Sequence, residues 1–384
     1  MTTNQAGDGT FDHTGWTGTA QPPSVPPLRS MQRGLLSWLA VIVGGSLVSV
    51  LLGHVEAAVF LAGAGLFALA QASDAAAALD AYRDWVRGTL PRASAAGTLT
   101  RMLVRGVVPL GGAVVYLGIA TYARTAGSEP NHVWAMRWCM GAVVVSLALI
   151  ARPVADGLVR VMFRVEGPVT RTLRLTARLA VLALMLVVPA RLLAADLLAF
   201  MRESPTPMVD AGSLAAQLAG ELALALAGVG LWVKRGARET AQRLGLGGMR
   251  LRHWLIAALG LAAAIALNSG MERLQHAFFP SLWNADTEMT RLIAGHLTPA
   301  TALLLGISAG VGEEVLVRGA LQPRVGLFWA SLIFASGHVQ YTWFGMLTIG
   351  LLGLLLGTVR QRANTTTAIV VHALYDVFAA MTSH

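Results

Sequence analysis

The chain has 384 residues, of which 55% are hydrophobic and 13% charged, about half the roughly 25% charged share of a soluble globular protein. Such a composition cannot cover a water-soluble surface. The mean hydropathy of +0.60, with apolar runs near the roughly 20 residues of a bilayer span, points instead to an all-α, polytopic bundle of transmembrane helices. The net charge of +9 does not require nucleic acid as a partner, because the basic residues sit in short loops between apolar runs, as in cytoplasmic membrane loops. Cys139 is the single cysteine, so no intrachain disulfide can form.

Residues 1–30 are rich in Gly, Thr, Pro and Ser and are expected to form a disordered N-terminal tail. They lack the basic start, apolar core and cleavage site of a secretory signal, so the run from Leu35 should insert uncleaved. Apolar runs then centre near residues 44, 64, 114, 142, 189, 223, 262, 307, 332, 351 and 372, which predicts about eleven spans within a range of about nine to twelve. Residues 31–250 read as an N-terminal transmembrane helical region and residues 251–384 as a separate C-terminal core.

Basic residues alternate along this pattern. Arg83, Arg87, Arg92 and Arg101 fall in one loop, six arginines lie between Arg152 and Arg178, and six basic residues lie between Lys234 and Arg252. Arg318 with Arg324, and Arg360 with Arg362, fall on the same side, whereas the loops near Gly53, Ser128, Ser204 and Asn284 are poor in Arg and Lys. The positive-inside rule then predicts a multi-pass protein of the inner (plasma) membrane with a cytoplasmic N-terminus and an external C-terminus. Two inner loops read as amphipathic helices lying on the inner leaflet: Leu79, Tyr82, Val86 and Leu90 share one face, as do Leu158, Val161, Met162, Val165 and Val169.

The chemistry is concentrated in the last quarter of the chain. Ionisable groups within a span are costly and mark functional sites by default, and the spans from Ile307 onward contain Glu313, Glu314, Arg318, His338, His372 and Asp376. Glu314 and Arg318 are one helical turn apart and can pair, which leaves Glu313 without that partner. Phe334 and His338 have the same spacing, as do His372 and Asp376. Measured from the arginines at the helix ends at 1.5 Å per residue, Glu313 and His372 lie about 15 Å deep, and His338 and Asp376 about 20 Å. The polar stripes can therefore meet in one intramembrane cavity. Such a set can activate water, donate to an oxyanion or bind a metal, and spacing does not choose among these.

The order Glu-Glu-x-x-x-Arg, Phe-x-x-x-His and His-x-x-x-Asp over residues 313–318, 334–338 and 372–376 resembles the CPBP family of intramembrane proteases, related to the CAAX prenyl endopeptidases. The resemblance covers about residues 297–380 and makes 251–384 a CPBP-like protease core. It implies a glutamate-dependent endopeptidase acting on a membrane-associated peptide or protein. Glu313 with His338 would activate the attacking water, His372 with Asp376 would stabilise the oxyanion, and Glu314 with Arg318 would be a supporting pair, with Phe334 in the second motif. No cofactor is implied, although the same residues would also suit zinc. Some family members carry Asn where this chain has Asp376; an amide donates at any pH, a carboxyl only when protonated, so Asp376 either donates to the oxyanion or orients His372. The alternative is a non-catalytic scaffold or a transporter using the same buried polar cluster, but the repeated halves common in transporters are not visible.

Other motifs are weaker. Gly306-Ile307-Ser308-Ala309-Gly310 fits the serine-hydrolase pattern G-x-S-x-G, which needs a strained strand-to-helix turn; within an apolar run its small residues are expected to serve close helix packing. No His-Glu-x-x-His is present, and Asn268 and Glu221 read as helix contacts. Reporters fused after Arg252 are expected to read cytoplasmic, and those near Asn284 or at His384 external; a cytoplasmic C-terminus would remove one span and undo the depth argument.

Overall fold

The computed structural model describes residues 11–12, 15–16, 28–87, 95–163, 165, 168–203 and 209–382. Most of the expected tail, Leu90 and the side chains of Tyr82 and Val86 lie outside them. Apart from a two-residue pairing of Phe11–Asp12 with Gly15–Trp16, the described chain is helical. The N-terminal helices are α1 Leu28–Leu51, α2 Val55–Arg87, α3 Ala95–Ala126, α4 Pro130–Ala148, α5 Arg152–Met162, α6 Arg171–Leu192, α7 Ala194–Glu203, α8 Ala211–Val229 and α9 Ala237–Arg243. The C-terminal helices are α10 Leu251–Phe278, α11 Pro280–Ala294, α12 Pro299–Glu313, α13 Gln322–Ser336, α14 Trp343–Arg362 and α15 Thr365–Thr382.

Nine helical stretches among the described residues are long and apolar enough to cross a bilayer, ten if the α4–α5 pair, bent by 102°, is one span. The sequence expectation of about eleven is slightly higher, because the runs centred near 307 and 332 form one helical stretch, Pro299–Ser336. That stretch is broken at Gly326, whose φ of 81° and ψ of 174° leave the helical region. The break falls at a residue without a Cβ to oppose a positive φ.

Apolar side chains face outward along the spans, as lipid contact requires: Val114 is 70% and Leu259 72% exposed. Inside, Trp38, Leu61, Phe67, Val104, Leu175 and Ala227 join α1, α2, α3, α6 and α8 in one cluster. A second cluster joins α5 and α6 to α13 through Val159, Met162, Ala177, Val325 and Phe334. Leu158, Val165 and Val169 pack on it. This corrects the sequence reading of an interfacial helix: the apolar face of α5 is covered by protein, and of its five residues Val161 alone is exposed.

The G-x-S-x-G segment is a packing device, as expected. A Cβ at Gly310 would lie 2.7 Å from the Ala373 Cβ, and one at Gly306 would lie 2.5 Å from the Ala373 carbonyl oxygen, so α12 and α15 touch along this face. Ser308 is fully buried and donates to the Leu214 carbonyl of α8 at 2.6 Å. Gly310→Leu is expected to lower stability by about 3 kcal/mol through overpacking. Ser308→Ala, which loses one hydrogen bond, should cost about 1 kcal/mol, and thermal unfolding in detergent compares the two.

Candidate active site

The site is built on one irregular helix. After α12 the chain winds as a π-helix over Glu314–Leu321, and the Gln322 N–H reaches back to the Val317 carbonyl. Such wider turns are frequent at functional sites. Glu313 closes α12 and Glu314 opens the wider turn, so the two carboxylates stand on adjacent faces.

Glu314 and Arg318 are both fully buried, with Nε of the arginine 3.4 Å from Oε2 of the glutamate. The guanidinium lies over the Phe334 ring of α13, 4.6 Å from its centroid, where the negative face of the ring attracts it. The other carboxylate oxygen of Glu314 accepts from Nδ1 of His372 on α15 at 2.9 Å. His372 Nε2 then faces two further carboxylates: Asp376 Oδ2 at 3.4 Å and Glu313 Oε2 at 3.9 Å. The Oε2 atom of Glu313 is buried and makes no hydrogen bond among the described residues.

The structure therefore brings Glu313, Glu314, Arg318, His372 and Asp376 into direct contact, with Phe334 beneath them. His338 stands apart. It lies in the turn after α13, its ring 4.9 Å from that of Phe334, and its Nδ1 is 3.0 Å from the Phe334 carbonyl. A carbonyl can only accept, so Nδ1 carries the proton and Nε2 of the neutral ring is an acceptor. His338 has no hydrogen bond or ion pair to Glu313, Glu314, His372 or Asp376.

Two neighbours, Asp286 and Tyr341, escaped the sequence reading, and Glu221 was read only as a helix contact. Asp286 of α11 accepts from the Thr342 backbone N–H at 2.6 Å and from its hydroxyl at 2.6 Å, and it also accepts from Gln275 of α10 at 2.7 Å. It thereby anchors the turn that carries His338. Tyr341, on the same turn, bonds to Thr290 and lies near Asp376. Burial, reinforced by the Asp286 and Asp376 carboxylates, raises its phenol above the ordinary value, which keeps it a neutral donor at physiological pH. Glu221 of α8 does make the helix contact expected of it: its carboxylate fills the space where a side chain at Gly312 would project. It also lies within electrostatic reach of Glu313 and His372, held by Gln217 at 3.1 Å. The visible signal for Glu221 was a carboxylate within an apolar run. By contrast, Asn268 bonds to Glu272 on its own helix and is remote from this group.

Residues 295–378 match the type II CAAX prenyl endopeptidase Rce1-like family. Over this stretch the chain is similar to that family. The resemblance read from the motifs is thus borne out over this stretch, which contains all of them. The chain is also 31% identical over 106 residues to the uncharacterized protein YpbD of Bacillus subtilis (strain 168), a match covering 27% of this chain and 56% of that protein. The chain thus spans about half the length of this curated relative. No solved structure matches the chain.

Although Glu313, Glu314 and Asp376 surround His372, no group of three or more His, Cys, Asp or Glu among the described residues is placed to hold a metal ion. His372 Nδ1 is already engaged by Glu314. Removing the positive partner of that carboxylate tests the buried pair. Arg318→Met is expected to destabilise the protein by about 3 kcal/mol, because a buried charge is left unmatched. Adding Glu314→Gln should recover much of that loss in the thermal unfolding of the double variant.

Proposed function

We propose that the C-terminal segment is an intramembrane endopeptidase that hydrolyses a peptide bond of a membrane-associated peptide or protein. The observation that carries this reading is the contact set of Glu313, Glu314, His372 and Asp376, which lies within a stretch similar to an endopeptidase family. In this reading Glu313 is the general base. Its Oε2, which makes no hydrogen bond among the described residues, takes a proton from water, whose oxygen forms a bond to the scissile carbonyl carbon. His338 holds that water through Nε2, the acceptor left by the Nδ1 bond to Phe334.

The carbonyl oxygen becomes an oxyanion that His372 and Asp376 stabilise. Donation from His372 Nε2 requires a proton there while Nδ1–H stays on Glu314, so the ring carries both protons at this step. Asp376 donates only in its protonated form. Collapse of the intermediate breaks the C–N bond, Glu313 returns its proton to the leaving nitrogen, and the products are a carboxylate and an amine. Glu314 orients His372, and Arg318 balances the charge of Glu314.

Purified wild type and Glu313→Gln, each incubated with a candidate membrane-protein substrate, test the reading. The amide is nearly isosteric but cannot accept the proton, so cleavage should fall by about 100-fold or more while the fold is retained. Undiminished cleavage by the variant would overturn the glutamate mechanism. Exhaustive chelation should leave wild-type cleavage intact; loss on chelation and rescue by zinc would favour a metalloprotease instead. Binding of that substrate without turnover would favour the scaffold alternative.

A further inference from the structure

The arginines of the N-terminal region are not spread evenly. Arg101 and Arg105 of α3, Arg152 of α5, and Arg171, Arg174 and Arg178 of α6 line one cavity of about 150 Å3 together with Asp74 of α2. Among the described residues two carboxylates, Asp74 and Asp156, pair with arginines of this group. Asp74 Oδ1 accepts from the Arg171 backbone at 3.0 Å and from its Nη1 at 3.1 Å, while Oδ2 accepts from the Thr172 backbone at 3.1 Å and its hydroxyl at 2.9 Å, which caps α6. Asp156 takes Arg174 through both Nε and Nη2. Arg105, Arg152 and Arg178 have no carboxylate at ion-pair distance among the described residues.

Arg178 is the most demanding of these. It is 2% exposed on a helix long and apolar enough to span a bilayer. Its partners are two carbonyl oxygens, Leu149 O at 3.0 Å from Nε and Val104 O at 3.4 Å from Nη1. A guanidinium has five donors and does not lose its charge in proteins, and a buried charge is costly unless an opposite one matches it. Arg105 likewise bonds to the Ile150 carbonyl. Capping the end of α4 accounts for one donor of Arg105 and one of Arg178, and for nothing of Arg152. Orientation of the chain in the membrane needs arginines in loops, not arginines from three helices converging on a hollow.

The size of the hollow narrows the ligand. At about 150 Å3 it is about half the roughly 300 Å3 at which pockets for small organic ligands begin. A nucleotide or a peptide does not fit, whereas a tetrahedral phosphate with a few waters does. Guanidinium forks match phosphate oxygens two at a time, and basic pockets between spans hold lipid headgroups. We propose that this cavity binds a phosphate group, carried by an anionic lipid headgroup or as the free ion, with Arg105, Arg152 and Arg178, which have no carboxylate at ion-pair distance among the described residues, supplying the charge. A bound phosphate would tie α3, α5 and α6 together at the α4–α5 bend.

The full chain, purified in detergent, is titrated with short-chain phosphatidic acid, with phosphatidylcholine of the same chain length and with inorganic phosphate, and binding is followed by the thermal midpoint. Saturable binding of phosphatidic acid is expected, about tenfold tighter than that of phosphatidylcholine. Arg105→Gln with Arg152→Gln should weaken it about tenfold, whereas Arg252→Gln with Arg362→Gln, an equal loss of charge elsewhere, should not. Failure of inorganic phosphate to displace the lipid assigns the site to headgroups, and displacement assigns it to phosphate from either source. Equal weakening by the two double variants, or no saturable binding of any phosphate, overturns the proposal. Should the first double variant fail to fold, Arg152→Gln alone, an exposed side chain, is compared with Arg252→Gln.

Discussion

A carboxylate buried in a membrane-spanning helix must be matched where it stands, and Glu314 meets that constraint twice over. Arg318 matches it from the next turn and His372 from another helix. The arginine in turn rests on Phe334, so one fully buried charge ties together the helices that carry all three motifs. The same arrangement fixes the ring of His372, because a histidine held at Nδ1 has only Nε2 to offer. Glu313, adjacent in sequence, meets the same histidine only at 3.9 Å, through an oxygen that makes no hydrogen bond among the described residues. Glu314 is thus the glutamate of the pair that other side chains hold from two sides.

The N-terminal helices contribute to this arrangement although the family match begins at residue 295. The α8 helix accepts the Ser308 hydroxyl and lays Glu221 against Gly312. The α5 and α6 helices share a core cluster with Phe334. Small residues also let α12 lie against α15, since at Gly306 and Gly310 that helix occupies the space a side chain would need. Close backbone approach of this kind is how helices associate where lipid removes the hydrophobic drive.

Much of this was legible from spacing. Helical rise and twist are constant, so residues four apart share faces. The i to i+4 contacts of Glu314 with Arg318 and of His372 with Asp376 are both present. The contact of Glu314 with His372, 58 positions away, was not legible, because local spacing says nothing about which stripe meets which. The same holds for Asp286 and Glu221, whose roles come from helices outside the motifs. The misreading of α5 has a similar origin: an apolar stripe looks alike whether lipid or protein covers it, and here it meets α6 and α13.

The π-helical stretch ties the site to chain length as well as to residue identity. Glu313 lies before Glu314–Leu321, and Phe334 and His338 after it. Each residue of an α-helix turns the chain by about 100°. Deleting one residue in this stretch would let regular hydrogen bonding resume, but it would rotate everything upstream relative to everything downstream by about that angle. No residue named in the site would be changed, yet its two halves would face different directions. The number of residues between the first and second motifs is thus under as firm a physical constraint as the motif residues themselves.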